Sequence, residues 1–390
     1  MRWISCFCVM AGVSTVMWAA GTVPAAAQEA FSLSARDFAL PQNLSHFARV
    51  SFSPDGKCLA VAASCGDYQW VNIWDVATRR KIAALREPLP DAVRFSPTGR
   101  YLVTMNKQGR LRLWDGSHGW DQATAVEIDT ARLEAEREKE KSLNGKVPEL
   151  MSCGAVDFSP DGRTLAWCLV SDKTLKLWDV TAGKEIGALD PGRSALGSFS
   201  FFAKGGLLCV KLNRPPRQRD GFDVQFWDIS DPAKPRKRNE LPFDGVPKRD
   251  AADPLAVSPD GRVLALPCGA KMILYDLQTA RSVTVPLPDV RGGYALPVFS
   301  PDGGTLAWGA TVGRPYVVLW DVLRGRIRAM PRFPSTSIVT SLEYSPDGKY
   351  LAAGLAGFPG RGSKDVVTLW ELPTPSRESS WSRPQMGFPR

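Results

Sequence analysis

Histidine occurs only twice in the 390 residues, at His46 and His118, and both read as surface residues in connecting segments. So low a count argues against multi-histidine metal centres and against most histidine-based acid/base catalysis. Several chemical signatures are also missing: a Gly-x-x-x-x-Gly-Lys-Ser/Thr phosphate loop, a Gly-x-Ser-x-Gly elbow, a His-Glu-x-x-His pair, a calcium loop and any Cys-x-x-Cys. Charge of one sign is scarce, since 49 Lys+Arg stand against 40 Asp+Glu for a net +9. That excess tolerates an acidic partner without requiring one, and it gives little support to nucleic-acid binding. Beyond residue 27 no apolar run is long enough to cross a membrane.

What is present begins with a targeting pattern. Arg2 precedes a charge-free apolar run from Trp3 to Val23, followed by Pro24-Ala25-Ala26-Ala27-Gln28. A basic start, an apolar stretch and a small-residue site define a secretory signal, here residues 1–27 with cleavage after Ala27. The alternative is an uncleaved anchor. Export to a periplasmic or extracellular space, in a bacterium, is the expected localisation. Of eight cysteines, Cys6 and Cys8 would leave with the signal, and Cys58, Cys65, Cys153, Cys168, Cys209 and Cys268 would remain. Their irregular spacing and apolar neighbours favour buried thiols, with Cys58 and Cys65 the local pair if any forms. The sequon Asn43-Leu44-Ser45 would matter only in a eukaryotic secretory pathway.

The rest of the chain repeats. Phe52-Ser53-Pro54-Asp55-Gly56 recurs at Phe95–Gly99, where Thr98 replaces the aspartate, and at Phe158–Gly162, Val257–Gly261, Phe299–Gly303 and Tyr344–Gly348, with a degenerate copy at Phe201–Gly205. Proline pre-sets the second position of a type I turn, aspartate suits the third, and glycine takes the left-handed conformation that re-enters a strand. Each copy therefore marks a hairpin, and its aspartate is turn chemistry, not a catalytic carboxylate. An alternating strand ending in an aromatic and an acid follows every turn: Trp74, Trp114, Trp178, Trp227, Tyr275, Trp320 and Trp370. The aromatics are spaced by 40, 64, 49, 48, 45 and 50 residues, which leaves no room for a second domain.

Within a unit the pattern is strand, turn, apolar strand, loop, strand, short turn, strand. In the third unit these read Ala155–Phe158, Thr164–Val170, Thr174–Trp178 and Lys184–Leu189. Small sheets with two apolar faces must stack on one another, and seven stacked radially close into an all-β, seven-bladed β-propeller over residues 28–372. The last unit lacks a fourth strand, and Phe31–Leu40 is the segment predicted to supply it and close the ring. Residues 373–390, rich in proline and serine, read as a loose tail.

The units resemble those of the WD-repeat family, over about residues 31–372. The resemblance implies a seven-bladed propeller, of the divergent, Ser-Pro-Asp-Gly-rich type that exported bacterial proteins carry. The units depart from the family pattern in lacking a Gly-His pair before the first strand. The aspartate six residues before the tryptophan survives only as Asp172. The family's buried hydrogen-bond tetrad is therefore expected to be mostly absent.

Function should lie in the loops. Thr130–Leu143, inside an insertion at 130–150, is rich in helix formers with Glu134/Arg137, Glu136/Lys139 and Glu138/Lys141 three apart. It reads as a solvated helix or a docking element. Arg214, Arg217 and Arg219, with Lys248 and Arg249, form a basic cluster expected on the same face, whereas Lys234, Arg236, Lys237 and Arg238 should point to the opposite one. Arginines can clamp carboxylates, phosphates or sulfates, so a protein or acidic surface polymer is the expected partner. The expected function is a non-catalytic interaction platform with no cofactor or metal. The alternatives are a structural or assembly component, and a propeller enzyme of lactonase, lyase or quinone-dependent dehydrogenase type working at the central channel.

Overall fold

The computed structural model describes residues 28–34, 36–37, 46–65, 69–106, 109–128, 155–168, 174–192, 195–214, 220–246, 254–268, 271–286, 296–310, 316–333, 338–357 and 365–372. The expected signal at 1–27, the helix at Thr130–Leu143, the sequon, Cys153 and the tail at 373–390 lie outside the described residues.

Strand β1 (Gln28–Ser34) precedes the first blade, which is β2 (His46–Phe52), β3 (Cys58–Ser64), β4 (Trp70–Asp75) and β5 (Lys81–Arg86). The second is β6 (Pro90–Phe95), β7 (Tyr101–Asn106), β8 (Leu111–Asp115) and β9 (Thr124–Ile128). The third is β10 (Ala155–Phe158), β11 (Thr164–Cys168), β12 (Leu175–Asp179) and β13 (Lys184–Leu189), within two residues of the sequence expectation at every boundary. The fourth is β14 (Ala195–Phe201), β15 (Leu207–Asn213), β16 (Gly221–Asp228) and β17 (Arg236–Asp244). The fifth is β18 (Ala256–Val257), β19 (Val263–Cys268), β20 (Lys271–Asp276) and β21 (Arg281–Pro286). The sixth is β22 (Val298–Phe299), β23 (Thr305–Ala310), β24 (Tyr316–Asp321) and β25 (Arg326–Ala329). The seventh has β26 (Ile338–Tyr344), β27 (Tyr350–Gly357) and β28 (Asp365–Glu371), and β1 pairs antiparallel with β28 as its fourth strand. The closing strand thus begins three residues earlier than expected and ends at Ser34. His46 opens β2, contrary to the expectation that it lies in a connection.

The turns explain the repeat. In Ser53-Pro54-Asp55-Gly56 the Ser53 hydroxyl donates to Asp55 Oδ1 at 2.6 Å and accepts the Cys58 N–H at 2.8 Å, while the Gly56 N–H returns to the Ser53 carbonyl at 2.8 Å. Gly56 has φ +71°. The absent Cβ matters twice, because one built on Gly99 would lie 3.2 Å from Pro54 of the preceding turn, and one on Gly56 3.7 Å from Pro346 of the last turn. The turns therefore abut one another, last against first. Trp-Asp has an equally local cause: Asp75 Oδ1 accepts the Thr78 N–H at 2.7 Å, capping the next turn, and Val76 N–H binds the carbonyl of Lys57 at 2.8 Å.

Side chains alternate across each strand, so a blade with both faces covered reads as a continuous apolar run, as in Cys58–Ser64. The core is divided among the contacts between successive blades. Trp114 packs between the first and second blades, Trp227 between the third and fourth, and Trp320 between the fifth and sixth. Trp370 lies between the sixth and seventh. Between seventh and first lie Leu33 of β1, Val367, Leu369 and Trp74. Trp178 and Tyr275, half-buried, pack against the preceding blade in the same way. Burial of a large aromatic contributes about 2–3 kcal/mol, which is why the aromatic recurs at every interface.

Cys58 and Cys65 flank the extended strand β3 and stand about 23 Å apart, too far to bridge. Their local pairing is excluded on that geometry. The second unit also holds a shortened polar chain in place of the family tetrad. Trp114 Nε1 donates to Thr104 Oγ1 at 3.0 Å, and Thr104 donates to the fully buried Glu87 at 2.6 Å.

Candidate functional site: the loop face and the channel

Strands two and four of every blade run in the same direction, so their outgoing connections emerge on one face, opposite the Ser-Pro-Asp-Gly turns. In the fourth blade this end is braced by Arg214. Its Nε and Nη2 hold both oxygens of Asp223 at 3.0 and 2.6 Å, and its Nη1 donates to Asp244 at 2.5 Å. Gly245 N–H adds a bond to the Asp220 carbonyl at 2.9 Å. The roots of two loops, 215–219 and 247–253, are thereby clasped together. Arg217, Arg219, Lys248 and Arg249 belong to these loops and lie outside the described residues. Arg214 itself is only 10% exposed along its side chain. It is a brace, with its guanidinium committed to its own blade. On the opposite face Arg238 pairs with Asp228 and Lys237 with Glu240, while the outer strand β17 is charged along its exposed edge.

The first strand of each blade lines the central channel, and neighbouring blades supply partners for its inner edge; β2 also pairs directly with the end of β27, at His46–Gly357 and Phe47–Ala356. Ser341 Oγ accepts the Val50 N–H at 3.1 Å, and Glu343 Oε1 accepts that of Phe52 at 2.9 Å. Ser51 Oγ accepts from Phe95 N at 3.1 Å, and Ser198 Oγ accepts from Leu255 N at 3.2 Å. Charge gathers on four successive inner strands. Arg94 Nη1 lies 3.9 Å from Glu343 Oε2 and donates to the Val93 carbonyl at 3.0 Å. Burial pushes the Glu343 carboxyl up to about 7, with Arg94 opposing the rise. Burial likewise raises Asp157, against the pull of Arg94, and lowers Arg49, which Asp91 holds in the charged form. The fifth and sixth blades present Ala256 and Val298 at the place of Asp157 and Glu343, so the channel wall is charged on one side and apolar on the other. Its carboxylates are engaged: Glu343 with Phe52 and Ser51, Asp157 with the Phe158 N–H at 2.9 Å.

Sequence reasoning missed this cluster. The signal was present, as a charged residue immediately before the turn aromatic in Arg94, Asp157 and Glu343, where other units carry Ser51, Ser200, Ala256 or Val298. His118 is exposed, with Nδ1 3.1 Å from Ser117 Oγ. Among the described residues no group of three or more His, Cys, Asp or Glu is placed to hold a metal ion, and no helix is long and apolar enough to cross a membrane.

Two family models match the chain. That of the WD domain, G-beta repeat, matches residues 142–179 and 331–365, which contain β10–β12 and β26–β27. That described as eukaryotic translation initiation factor eIF2A matches residues 20–124, which contain β1 and most of the first two blades. Among curated proteins the chain is similar to a subunit of "Chromatin assembly factor 1" of Gallus gallus, 24% identical over 234 residues, or 55% of this chain and 40% of that protein. It is similar to "WD repeat-containing protein 1" of Bos taurus, 26% identical over 147 residues, covering 37% and 20%. A third relative is "Transcription initiation factor TFIID subunit 5" of Caenorhabditis elegans, 34% identical over 80 residues, covering 18% and 12%. The chain thus spans at most 40% of the length of these relatives.

Proposed function

We propose that this chain, whose third and seventh units are WD repeats, is an exported, non-catalytic propeller that holds a protein partner on the face where its long connections emerge. The observation that carries this reading is the clasp of Arg214 on Asp223 and Asp244, which fixes the roots of the loops 215–219 and 247–253 on a rigid frame. Binding loops gain affinity when the scaffold pre-organises them, because less chain entropy is lost on contact. Two of the relatives are named as subunits of larger assemblies, which fits a binding module. The channel carboxylates favour the same reading. Glu343 and Asp157 spend lone pairs on main-chain N–H groups, which suits links between and within blades better than proton transfer to a substrate.

Export rests on residues 1–27. Cleavage after Ala27 would leave Gln28, the first residue of β1, at the new amino terminus and keep the closing strand whole. The partner chemistry expected of Arg217, Arg219, Lys248 and Arg249 is an acidic protein surface or acidic surface polymer.

The test compares capture from the envelope fraction by residues 28–390, by a variant with Arg217, Arg219, Lys248 and Arg249 changed to serine, and by a control with Arg79, Arg80 and Lys81 of the turn face changed to serine. The platform reading expects one partner held by wild type and control and lost by the loop variant. Equal capture by all three would remove the loop face from the account.

A further inference from the structure

Cleavage after Ala27, the export reading on which this inference rests, makes Gln28 the first residue of the mature chain. Gln28 is also the first residue of β1, the strand that closes the ring. The chemistry of a terminal glutamine and the architecture of the propeller therefore meet at one position.

The freed α-amine and the side-chain amide belong to the same residue. Attack of the α-nitrogen on Cδ closes an unstrained five-membered ring, and holding both reactants on one residue gives the high effective concentration of an intramolecular reaction. The N–Cδ bond forms and the Cδ–Nε2 bond breaks. Nε2 leaves as ammonia with the proton that the α-nitrogen gives up, and the terminus becomes a neutral lactam, pyroglutamate. Nothing is oxidised or reduced, and no co-reactant is consumed.

The strand explains why the modification matters here. Gln28 pairs with Glu371 and Glu29 with Trp370, and a bulge leaves Ala30 out of register before Phe31 pairs with Leu369. Because β28 runs toward the turn face, β1 begins there, at a rim where Glu371 is exposed. An aminopeptidase working from this end would dismantle the closure in order. Loss of three residues removes the first two pairs, and Trp370, a fully buried residue of the contact between the sixth and seventh blades, loses its strand partner. Aminopeptidases recognise a free α-amine, which the lactam lacks. The lactam keeps the residue's carbonyl and one N–H, so the groups a ladder uses survive the reaction.

We propose that the mature chain begins with pyroglutamate at position 28, a neutral lactam that seals the closing strand of the propeller against amino-terminal trimming.

The test expresses residues 1–390 in a bacterial host with an active secretion pathway and reads the intact mass of the freshly purified exported protein, before and after incubation with a broad aminopeptidase. The wild type should begin at residue 28, weigh less than the unmodified chain by one ammonia, and keep that mass through the incubation. Gln28→Asn retains a side-chain amide beside the cut but would have to close a strained four-membered ring, so it should carry a free amine and lose residues to the peptidase. A wild-type chain that begins at Gln28 with its full mass, or one trimmed as fast as Gln28→Asn, would overturn the proposal and leave export standing. Exported protein that still carries residues 1–27 would overturn cleavage itself and the proposal with it.

Discussion

Glu343 of the seventh blade accepts the main-chain N–H of Phe52 in the first at 2.9 Å, so one side chain ties the end of the repeat array to its beginning inside the channel. The bond has a consequence for mutation. Glu343→Gln keeps the acceptor and removes a charge that burial disfavours, so denaturant unfolding should show it at least as stable as the wild type near pH 7.5. Glu343→Ala leaves the Phe52 amide without its acceptor and should cost about 1–3 kcal/mol in the same measurement.

A pH dependence follows from Glu87. The residue is fully buried, and burial pushes its carboxyl up to about 7, with Thr104 and Arg112 opposing the rise. Between the ordinary glutamate value near 4.5 and about 7, the folded chain keeps a proton that the unfolded chain has released. Its contribution is complete below that window and is lost as pH rises through it, by at most about 3 kcal/mol. Urea midpoints at pH 5 and pH 8 should therefore differ less for Glu87→Gln than for the wild type. An unchanged difference would show that Glu87 does not titrate in this range.

Two turn glycines separate backbone strain from crowding. Gly99 has φ +74° and a neighbouring proline 3.2 Å from the position of a Cβ, whereas Gly205 has φ +70° with nothing within 4 Å. Gly205→Ala should cost the left-handed conformation alone, about 1–2 kcal/mol. Gly99→Ala should cost more, because Pro54 of the preceding turn must shift. Equal losses in chemical denaturation would mean that the turns do not abut.

Arg214 and its neighbours in sequence should behave oppositely. Arg214→Ala strands Asp223 and Asp244 and should lower stability by about 2 kcal/mol. Changing Arg217, Arg219, Lys248 and Arg249 to serine should leave the unfolding temperature within a degree or two while reducing capture of the partner. Thermal unfolding measured beside the capture assay distinguishes brace from contact.

The architecture was legible because its determinants are local and repeated. Ser53-Pro54-Asp55-Gly56 builds its turn from its own atoms, and Trp74, Trp114 and Trp227 mark interfaces that recur at each blade. Closure was legible as a missing strand, and β1 supplies it. The site was less so. Arg214 looks like Arg217 and Arg219 in sequence, yet its partners Asp223 and Asp244 are 9 and 30 residues away, and only the pairing of β15, β16 and β17 brings them to it. The channel cluster is more remote still, since Glu343 and Phe52 are 291 residues apart.

The first strand, β1, and the last, β28, meet inside one blade, and the ring depends on that meeting. Ser32 Oγ of β1 lies 3.3 Å from Thr368 Oγ1 of β28, on directly paired residues. A Ser32→Cys, Thr368→Cys variant of residues 28–390, mildly oxidised and digested, should yield the cross-linked peptide by mass spectrometry, formed within single chains. The closed loop should stabilise the protein by up to about 5 kcal/mol. Failure to form the link, or its formation only between chains, would contradict a ring closed by its first strand.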